Sequence, residues 1–427
     1  MDKSIRNKLF VMMILELFIW GAWLPLIWDY MGAAVADGGC GFTASQQAWI
    51  GSAFAIASIL AIFFSNQFAD RKFAAEKFLS FSHLVGGAAM LGLFFVKDFN
   101  TFFALMLIHS IFYVPTISVA NSLAFANIKN PAQDFGFIRM GGTVGWILAA
   151  WPLYFILQGR TGADLTAASR YIFIVSAVAS FALAAYSLTL PHTPPKKADG
   201  ANAFAWLTSG KRLLIPFVLV LFVVTFIDAT IHNGYFLVTG NFLENRVGIA
   251  KEWIMPVMSL GQVAEILTML VLGKVLAKLG WRMTMLLGIA GHALRYLVFA
   301  YVPDSQSLII AIQLIHGICY AFFFATVYIF IDAVFPPDVR TSAQGWFNLL
   351  ILGLGDLAAK WTFFPYMASL TTKSMGPDGK EVATVDWQSL FLYPSALAVV
   401  GLILLAFFFK PPTFGPEGKT GSAAAPH

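Results

Sequence analysis

The sequence predicts an all-α integral membrane protein of twelve transmembrane helices in two six-helix halves. Three observations carry this prediction. Hydrophobic residues make up 59% of the 427-residue chain and charged residues 11%, with a mean hydropathy of +0.75; soluble domains carry about 25% charged residues. The apolar stretches reach the roughly 20 residues that a helix needs to cross a bilayer, and they lack the apolar–polar alternation of barrel strands. The longest polar connection, residues 191–212, has six such stretches before it and six after it, the layout of a carrier built from two repeats.

In chain order the stretches are 9–30, 46–68, 78–96, 99–125, 135–156, 171–190, 213–237, 253–272, 283–301, 306–335, 343–366 and 389–409. They divide the chain into a first bundle (1–191), a linker (192–212), a second bundle (213–410) and a tail (411–427) of Pro, Gly, Ala and Ser, a composition that predicts disorder. An even number of crossings puts both termini on one side. Seventeen lysines and arginines flank the stretches on that side against seven opposite, so the termini are predicted to be cytoplasmic. The net charge of +5 follows from this asymmetry and implies no nucleic-acid partner. The first stretch is too long for a cleavable signal and contains Glu16, Trp20 and Trp23. Cys40 falls in a loop and Cys319 in a crossing, so no bridge between them is expected.

The halves echo each other. Short basic connections, 66–72 and 273–282, follow the second and eighth stretches. Arg139-Met140-Gly141-Gly142-Thr143-Val144-Gly145-Trp146 in the fifth finds a counterpart in Arg340-Thr341-Ser342-Ala343-Gln344-Gly345-Trp346 at the eleventh. Each sets an arginine before small residues, which let membrane helices approach closely.

Ionisable groups inside crossings are the candidates for function, because a charge at that depth costs about 2.5 to 10 kcal/mol unless it faces protein or water. Glu265 is the foremost. It lies in the eighth stretch, three residues after Gln262 and therefore on the same helix face. An amide beside a titratable acid suits a site for a polar solute and a proton; the alternative is a carboxyl locked between helices. Asp228 and His232, at i, i+4, suit a proton relay or a hydrogen-bonded pair. Asp356 and Lys360, at the same spacing, read as a self-neutralising structural pair. Glu16 either faces a cavity or pairs with a basic group; Arg295 is expected to anchor helices. His109 is a candidate cavity residue, and Asp332 and Arg340 are candidates for gate contacts. No Gly-rich phosphate loop and no His/Cys cluster at metal spacing is present in the sequence, so neither an enzyme nor a metal or cofactor is expected.

The six-plus-six layout, with Asp70-Arg71-Lys72 after the second stretch, resembles the major facilitator superfamily. Trp20-Gly21-Ala22-Trp23 with Tyr30-Met31, Tyr113-Val114-Pro115-Thr116 with Asn121, the run Arg139 to Trp146, Gln262 with Glu265, Leu294-Arg295-Tyr296, Arg340 to Gly345 and Asp386-Trp387-Gln388 resemble the nucleoside:proton symporters of bacteria. These segments cover nearly the whole chain. The resemblance implies a nucleoside site on the fifth, seventh, eighth and tenth helices, formed by Arg139, Thr143, Trp146, Thr230, Asn233, Gln262, Glu265, His316 and Tyr320. Spacing alone puts Arg139, Thr143 and Trp146 on one stripe, and gives Thr230 with Asn233, and His316 with Tyr320, a shared face; helix packing is the other reading of such stripes. The chain departs from the family where Ala321 replaces an acid, His316 a tyrosine and Thr230 a glutamine, which leaves the solute open.

The sequence thus points to a proton-coupled nucleoside importer of a bacterial inner membrane, monomeric and working by alternating access, with Glu265, Asp228 and His232 as proton-coupling candidates. The competing readings are a carrier of another polar solute, such as a sugar or drug, and a receptor that binds solute without moving it.

Overall fold

The structure is a computed structural model. It describes residues 3–128, 131–194, 205–335, 340–375 and 381–411; within them the side chains of 61–72, 131–134, 136, 205–208, 340–342 and 381–382 are left aside. The described chain is almost wholly helical. In the first half the helices are α1 (Lys3–Gly21), α2 (Ile27–Gly32), α3 (Ala44–Lys72), α4 (Ala75–Leu93), α5 (Phe99–Asn127), α6 (Pro131–Leu157), α7 (Gly162–Ala168) and α8 (Tyr171–Ser187). After the short α9 (Ala205–Arg212) come α10 (Pro216–Asn245), α11 (Lys251–Tyr301), α12 (Gln306–Val334), α13 (residues 340–369) and α14 (Trp387–Phe408). Eight described helices are long and apolar enough to cross a membrane.

Several boundaries differ from the sequence reading, each for a local reason. The first crossing is broken. α1 ends at Gly21, turns lead through Pro25, and α2 resumes at Ile27; proline removes a helical N–H and restricts the residue before it. The basic connection at 66–72 is helical, since α3 runs to Lys72; its side chains, like that of Arg340, lie outside the described residues. The basic connection at 273–282 is also helical, interrupted at Gly280, whose φ of 70° breaks α11 in two. Glycine alone reaches that backbone region without strain. Thr371–Met375 and Glu381–Val385 pair as two antiparallel strands, an exception to the all-α expectation. Their β-branched threonines and valines flank Gly376-Pro377-Asp378-Gly379, a turn-forming composition. The tail from 412 lies outside the described residues.

Packing follows the small residues. α1 lies along α6 and α8, and α4 along α5 and α8; α11 packs on α14 and α12, and α10 on α13 and α14. At the α1–α6 crossing a Cβ on Gly141 would come within 2.6 Å of the Phe10 carbonyl oxygen, and one on Gly145 would run into the carbonyl of Ile14. Helix termini are capped where the chain leaves the bundle: Asp98 accepts from the Thr101 N–H at 2.9 Å and Asp386 from that of Ser389 at 3.1 Å. Where the linker begins, Glu76 accepts from the Thr193 N–H at 3.0 Å and from His192 at 2.7 Å. Burial raises the Glu76 carboxyl, but these hydrogen bonds outweigh it and hold the group below the usual carboxylate range. The stability this gives is present above the unfolded-state pKa and is lost as pH falls through the folded one.

Gly145→Val is expected to lower the thermal midpoint of the purified protein by an amount equivalent to about 1–3 kcal/mol, because the α1 backbone must move. Gly273→Ala, with nothing within 4 Å of the added carbon, is expected to leave it unchanged within about 0.5 kcal/mol. Parallel melts in detergent compare the two.

Candidate functional site

Four helices meet at the residues expected to bind solute. On α6, Arg139, Thr143 and Trp146 are all half-buried. The indole of Trp146 meets Trp20 of α1 edge-on at 5.4 Å and Phe236 of α10 at 5.7 Å. On α11, Gln262 is buried with its Oε1 unpartnered among the described residues, and Glu265 is half-buried. No hydrogen bond or ion pair holds Glu265 among the described residues; the charge acting on it is that of Arg139. Tyr320 of α12 lies in the fields of both Glu265 and Arg139. One close crossing sets this geometry. A Cβ on Gly261 would meet the His316 side chain at 2.9 Å, and one on Gly317 would strike the Ala264–Glu265 backbone. α11 and α12 therefore touch where they carry Gln262, Glu265, His316 and Tyr320.

α12 is irregular here. Tyr320–Ala325 is a π-helical stretch, as is Leu349–Leu354 in α13. Such stretches widen the turn and release carbonyls from the ladder. In α13 the Ile351 carbonyl accepts from Asn233 Nδ2 at 3.1 Å, while the same amide donates to Ala229 at 2.8 Å. Thr230 donates to the Phe226 carbonyl of its own helix at 2.9 Å.

Deeper in the second half the structure assembles a cluster that sequence spacing did not foresee. Asp228 does not pair with His232. Its Oδ1 accepts from His292 Nδ1 at 2.9 Å, both side chains being at most 1% exposed. His232, one turn along α10, stacks on His316 with ring centres 5.0 Å apart. His316 Nδ1 accepts from Arg295 Nη1 at 2.9 Å, so that nitrogen carries no proton. Arg295 is fully buried and lies 4.1 Å above the Tyr235 ring. His316 is thus spent on Arg295 within the helix packing. In the first half, Glu16 accepts from His83 at 2.9 Å and from Thr116 at 2.6 Å. His109 contacts the Gly86 carbonyl through Nδ1 at 3.1 Å and stacks on Tyr113. Asp356 and Lys360 form a buried ion pair.

A family model described as the nucleoside H+ symporter matches residues 3–414. The chain belongs to the nucleoside H+ symporter family. It is 30% identical to YegT of Escherichia coli (strain K12) over 94% of this chain and 93% of that one. It is 27% identical to the xanthosine permease of the same organism, over 95% and 96%. Its fold is that of a crystal structure of the nucleoside transporter NupG, with a TM-score of 0.79 and 21% identity over 96% of this chain and all of that one. The fold is therefore the multi-span membrane fold related to the major facilitator superfamily.

Of the expected site residues, this symporter gathers Arg139, Gln262, Glu265 and Tyr320 around one crossing, with Trp146 and Asn233 alongside. Thr230 and His316 are committed to protein partners. His83 and His292 were missed. Neither lies at helical spacing from its acid, and a partner on another helix leaves no periodic trace in one sequence.

Removing one member of a buried pair leaves the other uncompensated, at a cost of about 3–5 kcal/mol. Asp228→Ala is expected to lower the thermal midpoint strongly, and Asp228→Asn, which still accepts from His292, to lower it less. Equal melts for the two variants would show that the His292 hydrogen bond does not hold these helices together.

Proposed function

We propose that the protein imports nucleosides with protons across a bacterial inner membrane, by alternating access around a site on α6, α10, α11 and α12. The observation that carries this reading is Glu265. It is the ionisable group at the α11–α12 crossing that no direct hydrogen bond or ion pair holds among the described residues, and it faces the field of Arg139. An acid so placed is free to exchange a proton, whereas Asp228 and Glu16 are each tied to a histidine. Arg139 sets the balance between its two states, while Gln262, Asn233 and Thr143 offer polar contacts to ribose and base edges. Trp146 and Tyr320 offer flat faces to the base.

We infer twelve crossings. Eight helices qualify by length and hydropathy, and α11 counts twice because Gly280 breaks it. α1 with α2, α3 and α4 supply the rest. The two halves are 1–191 and 213–410, joined by the linker 192–212, with both termini cytoplasmic. Contacts between the halves cluster at the end of the bundle away from the termini. There Asn241 donates to Asp29 at 3.1 Å, Trp361 Nε1 donates to Ser52 at 3.0 Å, and Tyr154 meets Trp253 at 4.8 Å. With cytoplasmic termini, this is a conformation shut towards the outside. Nucleoside and a proton enter when that end opens; protonated Glu265 permits the loaded site to close outward and release inward.

Glu265→Gln mimics the protonated acid. In proteoliposomes it is expected to retain nucleoside exchange and to lose gradient-driven accumulation; accumulation that survives with its pH dependence intact would move the proton to Asp228 and His232. Trp146→Ala is expected to weaken nucleoside binding by about 1–3 kcal/mol, the worth of a stacking face, with its melt close to that of the parent. Calorimetric titration measures this.

A further inference from the structure

The end of the bundle where the two halves touch carries more acids than cations. Asp29 of α2 comes from the first half. Asn241 and Glu244 of α10, and Lys251 at the start of α11, come from the second. Asn241 Nδ2 donates to Asp29 Oδ1 at 3.1 Å, and Lys251 Nζ meets Glu244 Oε2 at 3.2 Å. Asp29 and Glu244 both lie in the field of Lys251, and Glu244 also lies in the field of Asp29. Two carboxyl groups thus share one ammonium across the seam between the halves.

Little water reaches this cluster. The Lys251 side chain is 5% exposed and that of Glu244 26%. Asp29 Oδ2 is buried and accepts from nothing among the described residues. A close approach of α2 to α10 puts it there. A Cβ on Gly240 would come 3.0 Å from the Pro25 carbonyl oxygen and 3.6 Å from Asp29 Oδ2. A carboxylate held in such a place without its own cation is costly.

The surrounding charges do not relieve the imbalance. At the end of α10, Arg246 donates to Asp304 at 2.7 Å. In the first half, Lys97 donates to the Gly38 carbonyl at 2.9 Å, and Arg170 lies over the Phe94 ring and acts on Tyr30. Against α2, α3 presents the uncharged Gln47, which donates to the Phe42 carbonyl. Glu252, which follows Lys251, adds no cation. With both acids ionised the cluster keeps one uncompensated negative charge, and a single proton removes it.

We propose that this cluster is a pH-sensitive latch: Asp29 and Glu244 hold one proton between them while the halves meet here, and give it back to the outside when the halves part and water reaches Asp29. Such a proton belongs to the pair and not to either residue. It returns to the side it came from, so the latch moves no net charge across the membrane. It sets the balance between the two conformations instead. The shut end binds the extra proton, so acid outside favours the shut end and a rise in pH favours the open one. The inference rests on the alternating-access reading above and adds a proton that is not transported.

Spin labels measure the separation of the halves at this end. They are placed at Asn100→Cys and Ser307→Cys, exposed positions at the starts of α5 and α12. Cys40→Ser and Cys319→Ser first remove the native thiols. Glu265→Gln is the background throughout, because that acid also titrates. Double electron–electron resonance on the full chain in lipid nanodiscs gives the ratio of open to shut molecules across about pH 5 to 8. With both acids present the ratio is expected to rise with pH, by up to about tenfold per unit where the shared proton leaves. Asp29→Asn and Glu244→Gln each leave one acid against one ammonium, and each is expected to flatten the profile. Should Asp29→Asn fail to fold, Glu244→Gln, at a partly exposed side chain, carries the test alone. A ratio independent of pH with both acids present, or a slope that survives in either variant, overturns the latch. Labels that never separate, at any pH and with or without uridine, overturn the alternating-access reading itself.

Discussion

Everything in this structure is arranged around the cost of a charge away from water. Inside a bilayer an ionised side chain must find a partner, a polar cavity or a path to the surface. Three of the buried pairs join different helices: Glu16 with His83 across α1 and α4, Asp228 with His292 across α10 and α11, Arg295 with His316 across α11 and α12. Each pair fixes the register of two helices, which apolar packing against equally apolar lipid does only weakly. Small residues then bring the backbones close enough for such short side-chain reaches, as Gly141 and Gly145 do for α1 on α6.

The pairs also expose the internal repeat more deeply than the loops do. An acid on the first helix of each half meets a histidine on the third: Glu16 with His83, and Asp228 with His292. The fourth helix of each half adds another buried histidine, His109 and His316, and each stacks on a ring within its own half. The halves have then diverged in use. Among the described residues no arginine donates to His109; its Nδ1 instead donates to the Gly86 carbonyl, the opposite direction from that of His316 Nδ1, which accepts from Arg295. The second half thereby carries an extra fixed positive charge close to the cavity helices, and Asp228 is the carboxylate that shares its neighbourhood.

Much of this was legible in the sequence. Length and hydropathy marked the long apolar helices, eight of which qualify among the described residues, and helical spacing found Gln262 with Glu265 and Asp356 with Lys360. Spacing within one helix is the only contact a single sequence displays directly. It therefore paired Asp228 with His232, four residues away, when the partner in space is His292, sixty-four residues away. The same spacing is met in space by Asp356 and Lys360, which form a buried ion pair on one helix. The strand pair Thr371–Met375 with Glu381–Val385 carries β-branched residues on both sides of a Gly-Pro-Asp-Gly sequence, a local signal that hydropathy does not register.

Glu265 stands apart from this economy of pairs, and the reason is its position. Its backbone lies at the α11–α12 contact, and Arg139 acts on its half-buried side chain through its field. A fixed partner would hold the acid in one state. A charge acting at a distance leaves both states within reach and lets the surroundings decide between them. In the cycle proposed above those surroundings change as the helices carrying Arg139 and Glu265 move relative to one another. Any motion that alters their separation alters the free energy of the proton on Glu265. The same motion opens or shuts the contacts of Asp29 with Asn241 and of Ser52 with Trp361, which also join the two halves. Under that proposal proton affinity and gate position are functions of one coordinate, which is the physical requirement for coupling a proton to a solute.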